Sequence, residues 1–151
     1  MSLVNYILRR FRGNKDYIRK HIVISILLAM TSFMEFYRDI DNYNEGYSLS
    51  LMSGELSIIG INIVIILLGS IIFNLEEKKI KEKIKILKDI SVEKLNFITN
   101  LIIIYNIYIY IGITQNINFG INPLHKSYQE GFWIFILLLA LCTYESYKAN
   151  K

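Results

Sequence analysis

Long stretches without charge alternate with charged segments along this chain. Residues 56–75 and 95–121 contain no Asp, Glu, Lys or Arg. Each is long enough to cross a hydrocarbon core of about 30 Å, for which a helix needs roughly 20 residues. Two shorter apolar stretches, residues 22–34 and 131–141, have the same character. The pattern predicts a protein that is built from membrane-spanning helices.

The four stretches predict spans at about residues 21–36, 56–75, 95–117 and 131–147, all within a single transmembrane domain that covers residues 1–151. The fold class predicted is all-α, an integral membrane four-helix bundle. For the two short spans an interfacial or re-entrant position is the alternative, because their apolar cores are close to the lower length limit.

The basic leader, residues 1–20, is predicted to form a short interfacial helix. Leu3, Val4, Ile7, Leu8 and Phe11 share one side of a helical projection, while arginines occupy other positions. An amphipathic basic helix of this kind lies in the headgroup layer of a membrane. The candidates for contact with the membrane surface are Arg9, Arg10 and Arg12.

A second basic segment, residues 76–94, follows the second span. Ile80, Ile84 and Leu87 recur at helical spacing among its lysines, which predicts a helical extension of the span into the cytoplasm. Ser91 is placed to cap the third span. Interspersed acids and the lack of aromatic residues argue against nucleic-acid binding, so the expected partner is a cytosolic protein. The docking candidates are Lys78, Lys81, Lys85 and Lys88.

The distribution of positive charge predicts the orientation. Of the 17 lysines and arginines, six lie in the leader, seven in residues 76–94 and two in the C-terminal tail. The two remaining segments carry one each, Arg38 and Lys126. By the positive-inside rule both termini and the central basic segment are cytoplasmic, an N-in/C-in arrangement that four crossings satisfy.

Polar residues form a stripe along the third span, with smaller sets on the first and second. Amides and hydroxyls in hydrocarbon need partners, so the stripe should face other helices or a hydrated path. Interhelical contacts are one interpretation and the lining of a pore is the other. The candidates are Asn96, Thr99, Asn100, Asn106, Tyr110, Thr114, Asn62, Ser25 and Ser32.

The composition limits the disulfides, metal sites and catalytic sites that this chain can form. A single cysteine, Cys142, rules out an intrachain disulfide. The two histidines, His21 and His125, have no second ligand at metal-binding spacing. The sequence contains no P-loop, GxSxG elbow, GxGxxG or paired acids within a span. We therefore expect neither an enzyme nor a bound cofactor or metal.

Three functions fit these features. The first is a non-enzymatic accessory, sensor or immunity subunit that acts through helix–helix and cytoplasmic contacts. The second is an oligomeric permeabilising effector or channel, of the toxin or antiphage type, and the third is the membrane subunit of a transporter. Abundant Ile, Asn, Lys and Tyr suggest an AT-rich bacterial genome, and hence the bacterial cytoplasmic (inner) membrane. The expected partners are the lipid bilayer and either further copies of the chain or another membrane protein.

Overall fold

The computed structural model describes residues 3–13, 15–40, 46–52, 57–116 and 127–150. The described part is mainly helical. Its elements, in chain order, are α1 (Leu3–Gly13), α2 (Asp16–Thr31), β1 (Glu35–Ile40), β2 (Gly46–Ser50), α3 (Ser57–Lys83), a 3₁₀ turn (Lys85–Leu87), α4 (Val92–Asn116), β3 (Ser127–Tyr128) and α5 (Glu130–Ala149).

Helices α2 to α5 pack in a ring, in which α2 and α4 each contact both α3 and α5. Consecutive helices run in opposite directions. His21, early in α2, lies beside Ser70, late in α3, and Cys142, late in α5. The start of α2, the end of α3, the start of α4 and the end of α5 therefore meet at one end, here named the basic end. The small sheet lies at the other end, here named the sheet end.

The outer surfaces of these helices are apolar. Ile58 on α3, Tyr108 on α4 and Leu137 on α5 are 68%, 72% and 70% exposed. Three helices, α3, α4 and α5, are long and apolar enough to cross a membrane. Such helices with apolar faces turned outward indicate a membrane protein, because lipid is the solvent that accepts those faces.

The first predicted span needs correction in its bounds. Residues 21–36 were expected to form it, but α2 covers Asp16–Thr31, and residues 35 and 36 belong to β1. The helix begins early because Asp16 pairs with Lys20 at 3.0 Å and with Arg19 at 3.6 Å at its N-terminus. The hydrogen bond from Lys20 lowers the pKa of Asp16 below its usual value. At the other end, the hydroxyls of Thr31 and Ser32 both donate to the Leu28 carbonyl, where the helix ends.

The other spans lie close to their predicted positions. Helix α3 contains the second predicted span from Ser57 onward. Helix α4, which runs from Val92 to Asn116, contains the third predicted span up to Asn116, and α5 contains the fourth. Residues 56 and 117, at the limits of the second and third predicted spans, lie outside the described residues.

The predicted helical class is confirmed, and a small three-stranded antiparallel sheet, in the order β2-β1-β3, accompanies the helices. It is anchored by Phe36, which is fully buried and meets the rings of Tyr110, Phe132 and Phe135 edge-on at 5.4–6.1 Å. The backbone N–H of Gln129 donates to the Phe36 carbonyl at 2.9 Å, which joins β1 to the start of α5. These contacts close the sheet end of the helices.

The prediction of one continuous helix over residues 76–94 is wrong beyond Lys83. Helix α3 is kinked at Glu76 (φ −118°, ψ 24°) and ends at Lys83, and Ile84 is extended before the 3₁₀ turn. Closely spaced lysines repel one another, which weakens a helix that has no packed partner. The predicted cap is confirmed, because the Ser91 hydroxyl accepts the Lys94 backbone N–H at 3.1 Å at the start of α4.

Candidate functional site at the basic end

A cluster of polar side chains, all buried except the half-buried Tyr17, lies between the four packed helices, near the basic end. Each helix contributes residues that are four positions apart and therefore stand one turn above the other on the same face. The members, here named the polar cluster, are Tyr17, His21 and Ser25 of α2, Ser70 and Asn74 of α3, Asn96 and Asn100 of α4, and Cys142 and Ser146 of α5.

The centre of the polar cluster is a pair of asparagines. The Asn74 amide donates to Asn96 Oδ1, and the Asn96 amide donates back to Asn74 Oδ1, each at 2.9 Å. Asn96 also donates to the Tyr17 hydroxyl at 3.1 Å and accepts from the Ser70 hydroxyl at 3.3 Å. Both donor hydrogens and both acceptor positions of Asn96 are thus used. This residue connects α2, α3 and α4.

Ser146 extends the network to α5. Its hydroxyl donates to the Cys142 carbonyl at 2.9 Å, one turn earlier. It accepts from the Asn100 amide at 3.3 Å and from the Tyr17 hydroxyl at 3.4 Å. Every helix of the ring is therefore linked to its neighbours by side-chain hydrogen bonds at the same depth.

His21 lies between α3 and α5 and is only 2% exposed. Its Nε2 is 3.3 Å from the Ser70 hydroxyl, and its Nδ1 is 3.1 Å from Cys142 Sγ. A neutral imidazole, with one N–H and one bare nitrogen, satisfies both contacts. An imidazole beside a thiol is also the pairing that activates cysteine nucleophiles. Here, however, Cys142 is 0% exposed, so this site has no surface for a substrate.

A metal ion has no ligand set here. The described residues contain no group of three or more His, Cys, Asp or Glu side chains that could hold one. The polar cluster instead consists of neutral groups, most of which bond to one another, whereas the buried Ser25 hydroxyl has no partner among the described residues. Its chemistry is that of a connector between helices.

The structure buries much of the predicted polar stripe. Asn96, Asn100, Tyr110 and Thr114 are each no more than 3% exposed. They occupy two regions: Asn96 and Asn100 belong to the polar cluster, whereas Tyr110 and Thr114 lie at the sheet end, where Thr114 Oγ1 is 3.1 Å from the Tyr128 hydroxyl.

The remaining stripe candidates lie elsewhere. Thr99 and Asn106 are at the margin of the packed face and donate to Leu95 and Ile102 carbonyls of their own helix. Ser25 and Ser32 are buried, whereas Asn62 is exposed on the outer face of α3.

A layer of apolar side chains separates the polar cluster from the sheet end. The layer lies one to two helical turns closer to the sheet end than the polar cluster. Its members are all at most 3% exposed: Leu28, Ile63, Leu67, Ile103, Ile107, Phe135 and Leu139. Within the described residues, this layer leaves no continuous polar path between the two ends of the helices. Asn96, Asn100, Tyr110 and Thr114 of the α4 stripe are therefore packed against other elements of the same chain.

Charged and apolar groups cover the basic end. Of the docking candidates, Lys78, Lys85 and Lys88 are exposed, while Lys81 pairs with Glu77 at 2.9 Å. Ile86, in the 3₁₀ turn among these lysines, is 82% exposed. The basic end thus presents both exposed lysines and an exposed apolar side chain.

Helix α1 contacts α3 at its kink. The Tyr6 hydroxyl donates to Glu76, and Lys79 donates to the Tyr6 hydroxyl at 3.3 Å. This contact with Tyr6, followed by the pairing with Glu76, raises the pKa of Lys79. Of the membrane-surface candidates, Arg9 and Arg12 are exposed and Arg10 lies in the same helix.

Sequence reasoning missed several members of the polar cluster. Asn74 and Ser70 lie on one face of the second span, and Cys142 and Ser146 lie on one face of the fourth. A search for polar residues four positions apart in every span, rather than in the third alone, would have found these pairs. His21 directly follows Lys20 in the sequence, a context typical of a membrane boundary, but its burial shows that it faces inward.

Comparison with protein-family models gives no match for this chain. Comparisons with curated proteins and with solved structures give no match either.

Proposed function

We propose that this chain is a small non-enzymatic membrane protein with four crossings, and that it acts as an accessory, sensor or immunity subunit. It would work through contacts between helices in the membrane and through its basic end in the cytoplasm. One observation carries the proposal: most of the buried polar groups at the basic end are bonded to one another across the four helices, and most of the positive charges are gathered at that same end.

The hydrogen bonding within the polar cluster favours a scaffold over a catalyst. Catalysis requires a reactive group that a substrate can reach, held near a base or an electrophilic partner. In the polar cluster, Asn96 uses all of its hydrogen-bonding positions, and the His21–Cys142 pair is shielded from contact. Such a network holds four helices in one arrangement, which suits a protein whose task is recognition.

Four crossings rather than three are favoured by the surface of α2. Val23, Leu27 and Met30 point outward and are 45%, 42% and 64% exposed. The 16 residues of α2 extend about 24 Å at 1.5 Å per residue, and its neighbours in the ring are helices of spanning length. A helix packed between two spans and apolar on its outer side is best solvated by lipid.

The basic end supplies the surface for a cytosolic partner. Ile86, with four-fifths of its surface uncovered, lies between the exposed Lys85 and Lys88 in the sequence, and Lys78 is exposed near the end of α3. An apolar anchor with a charged rim is a common composition for a protein interface. An acidic partner surface with an apolar recess would complement it.

An oligomeric channel is the second candidate function. It is favoured by the exposed Asn62 on the outer face of α3, a polar group that subunits could gather around a shared axis. Any conducting path would then run between subunits, because the apolar layer separates the two ends within each one.

Two measurements on the full chain test the proposal. Purified protein in liposomes should release no trapped dye, whereas dye release would favour the channel. Purification in mild detergent from the cells that produce it should recover a cytosolic protein, and the variant K78E/K85E/K88E should lose it. Lys148→Glu, a charge reversal on α5, serves as the matched control and should retain the partner.

A further inference from the structure

The outward face of α3 carries a regular row of five residues. Ile58, Asn62, Ile65, Gly69 and Ile72 are spaced four, three, four and three positions apart. This is the seven-residue repeat that keeps one seam of a helix facing a partner helix. All five residues are exposed, and the three isoleucines are 57–68% exposed. We refer to this row as the α3 seam.

Asn62 is the unusual member of the seam. It lies six positions into the uncharged stretch that starts at residue 56, about 9 Å along the helix axis, with about 20 Å remaining to residue 75. Its side chain forms no hydrogen bond within the described part of the chain. A side-chain amide surrounded by isoleucines at this depth is costly to leave without a partner.

Gly69 provides a second, independent observation. Glycine within a helix costs about 1 kcal/mol relative to alanine, so its presence needs a reason. For Gly60 the reason is packing inside the subunit, because an added Cβ would lie 1.9 Å from the Leu51 carbonyl oxygen. At Gly69 an added Cβ would meet nothing within 4 Å. A glycine on an outward face permits close approach of another helix.

The partner that fits this seam is a second copy of the same chain. An asparagine amide has both donors and acceptors, so two Asn62 side chains related by a two-fold axis can form two reciprocal hydrogen bonds. The same exchange occurs within the subunit between Asn74 and Asn96, at 2.9 Å in both directions. Gly69 lies two turns away on the same line, where it lets the two helices meet closely.

We infer that the chain forms a two-fold homodimer in the membrane through the α3 seam, with Asn62 pairing across the axis and Gly69 at the close contact. The inference rests on the proposed membrane insertion, because in water an exposed asparagine needs no protein partner. It extends the proposed function by assigning the helix–helix contact to the outward face of α3 and to a second copy of the chain.

Cysteine cross-linking in native membranes tests the inference. In a Cys142→Ala background, Ile65→Cys places a thiol on the seam between Asn62 and Gly69. Leu137→Cys is the matched control, because Leu137 lies on the outer face of α5 and is 70% exposed, against 60% for Ile65. Oxidation should produce a covalent dimer from Ile65→Cys and little from Leu137→Cys. Equal cross-linking at both positions, or none at position 65, would overturn the inference.

A second set of variants tests the role of the amide. Asn62→Leu should raise the dimer dissociation constant about tenfold, whereas Asn62→Gln, which keeps an amide, should restore most of the affinity. Asn106→Leu is the control, because that amide already bonds to the Ile102 carbonyl of its own helix. An unchanged dimer in Asn62→Leu would contradict the assigned contact. Release of the protein from membranes by alkaline carbonate would instead refute the proposed membrane insertion.

Discussion

The side-chain amides of Asn74 and Asn96 donate to each other, with both N···O distances at 2.9 Å. The two residues are 1% exposed and come from helices α3 and α4, which are joined by the basic segment. They fix the register of one helix against the other at the end where the lysines collect. The consequences of this arrangement can be measured.

Replacing Asn96 should destabilise the protein more than replacing any other member of the polar cluster. Asn96→Leu removes the hydrogen bonds that Asn74, Ser70 and Tyr17 make with Asn96, which should cost about 2 kcal/mol in the free energy of unfolding in mixed micelles. The double variant N74L/N96L should cost less than the sum of the two single variants. Strictly additive effects would mean that the pair is not coupled.

Gly60 should tolerate no side chain. Gly60→Ala would place a Cβ 1.9 Å from the Leu51 carbonyl oxygen, so α3 or the chain at Leu51 must shift. We expect a loss of at least about 2 kcal/mol of stability. Gly112→Ala, in α4, meets nothing within 4 Å and should be neutral or slightly stabilising. Thermal unfolding in one detergent compares the two, and equal melting temperatures would contradict the packing at the sheet end.

Phe36 should act as the anchor of the sheet end. It is 0% exposed and meets three aromatic rings, so Phe36→Ala should cost about 3 kcal/mol in unfolding free energy. Phe33→Ala, three residues earlier and 63% exposed, removes the same atoms from the surface. Its effect in detergent should be below about 1 kcal/mol. A similar loss for both variants would indicate that Phe36 is not packed as described.

The thiol of Cys142 should be protected while the protein is folded. It is 0% exposed and lies 3.1 Å from His21 Nδ1, so a maleimide reaches it only when the helices separate. Ala149→Cys in a Cys142→Ser background provides an exposed thiol near the same end of α5. Labelling of Cys142 should be on the order of 100-fold slower than that of position 149. Comparable rates would show that the polar cluster is open.

Much of the helical architecture could be predicted from the sequence, because uncharged stretches of spanning length have few alternatives to a helix. Helices α3, α4 and α5 lie where the apolar stretches predicted them. The inward position of Asn96 and Asn100 also followed from helical periodicity. Ser91 was predicted as the cap of α4 from its position just before that helix, and its hydroxyl accepts the Lys94 N–H.

The sheet end could not be predicted in this way. Tyr37 of β1 pairs with Tyr128 of β3, and that contact joins residues on either side of two long helices. Both strands are short, and no local sequence pattern identifies the segment with which each strand pairs.

The polar cluster was predicted only in part, because burial of its members also depends on packing between distant segments. Asn74 lies beside the charged residues at 76 and 77, so its sequence context suggests an interface, whereas packing against α4 buries it.

The orientation of the helices in the membrane is the central claim, and single-cysteine labelling tests it most directly. In a Cys142→Ser background, cysteines replace Lys81 and Asn150 at the basic end and Glu130 at the sheet end, and intact cells are treated with a membrane-impermeant maleimide. With the basic end in the cytoplasm, position 130 should be labelled in intact cells, and positions 81 and 150 should react only after permeabilisation. Labelling of positions 81 and 150 from opposite sides, or recovery of the protein in the soluble fraction, would contradict it.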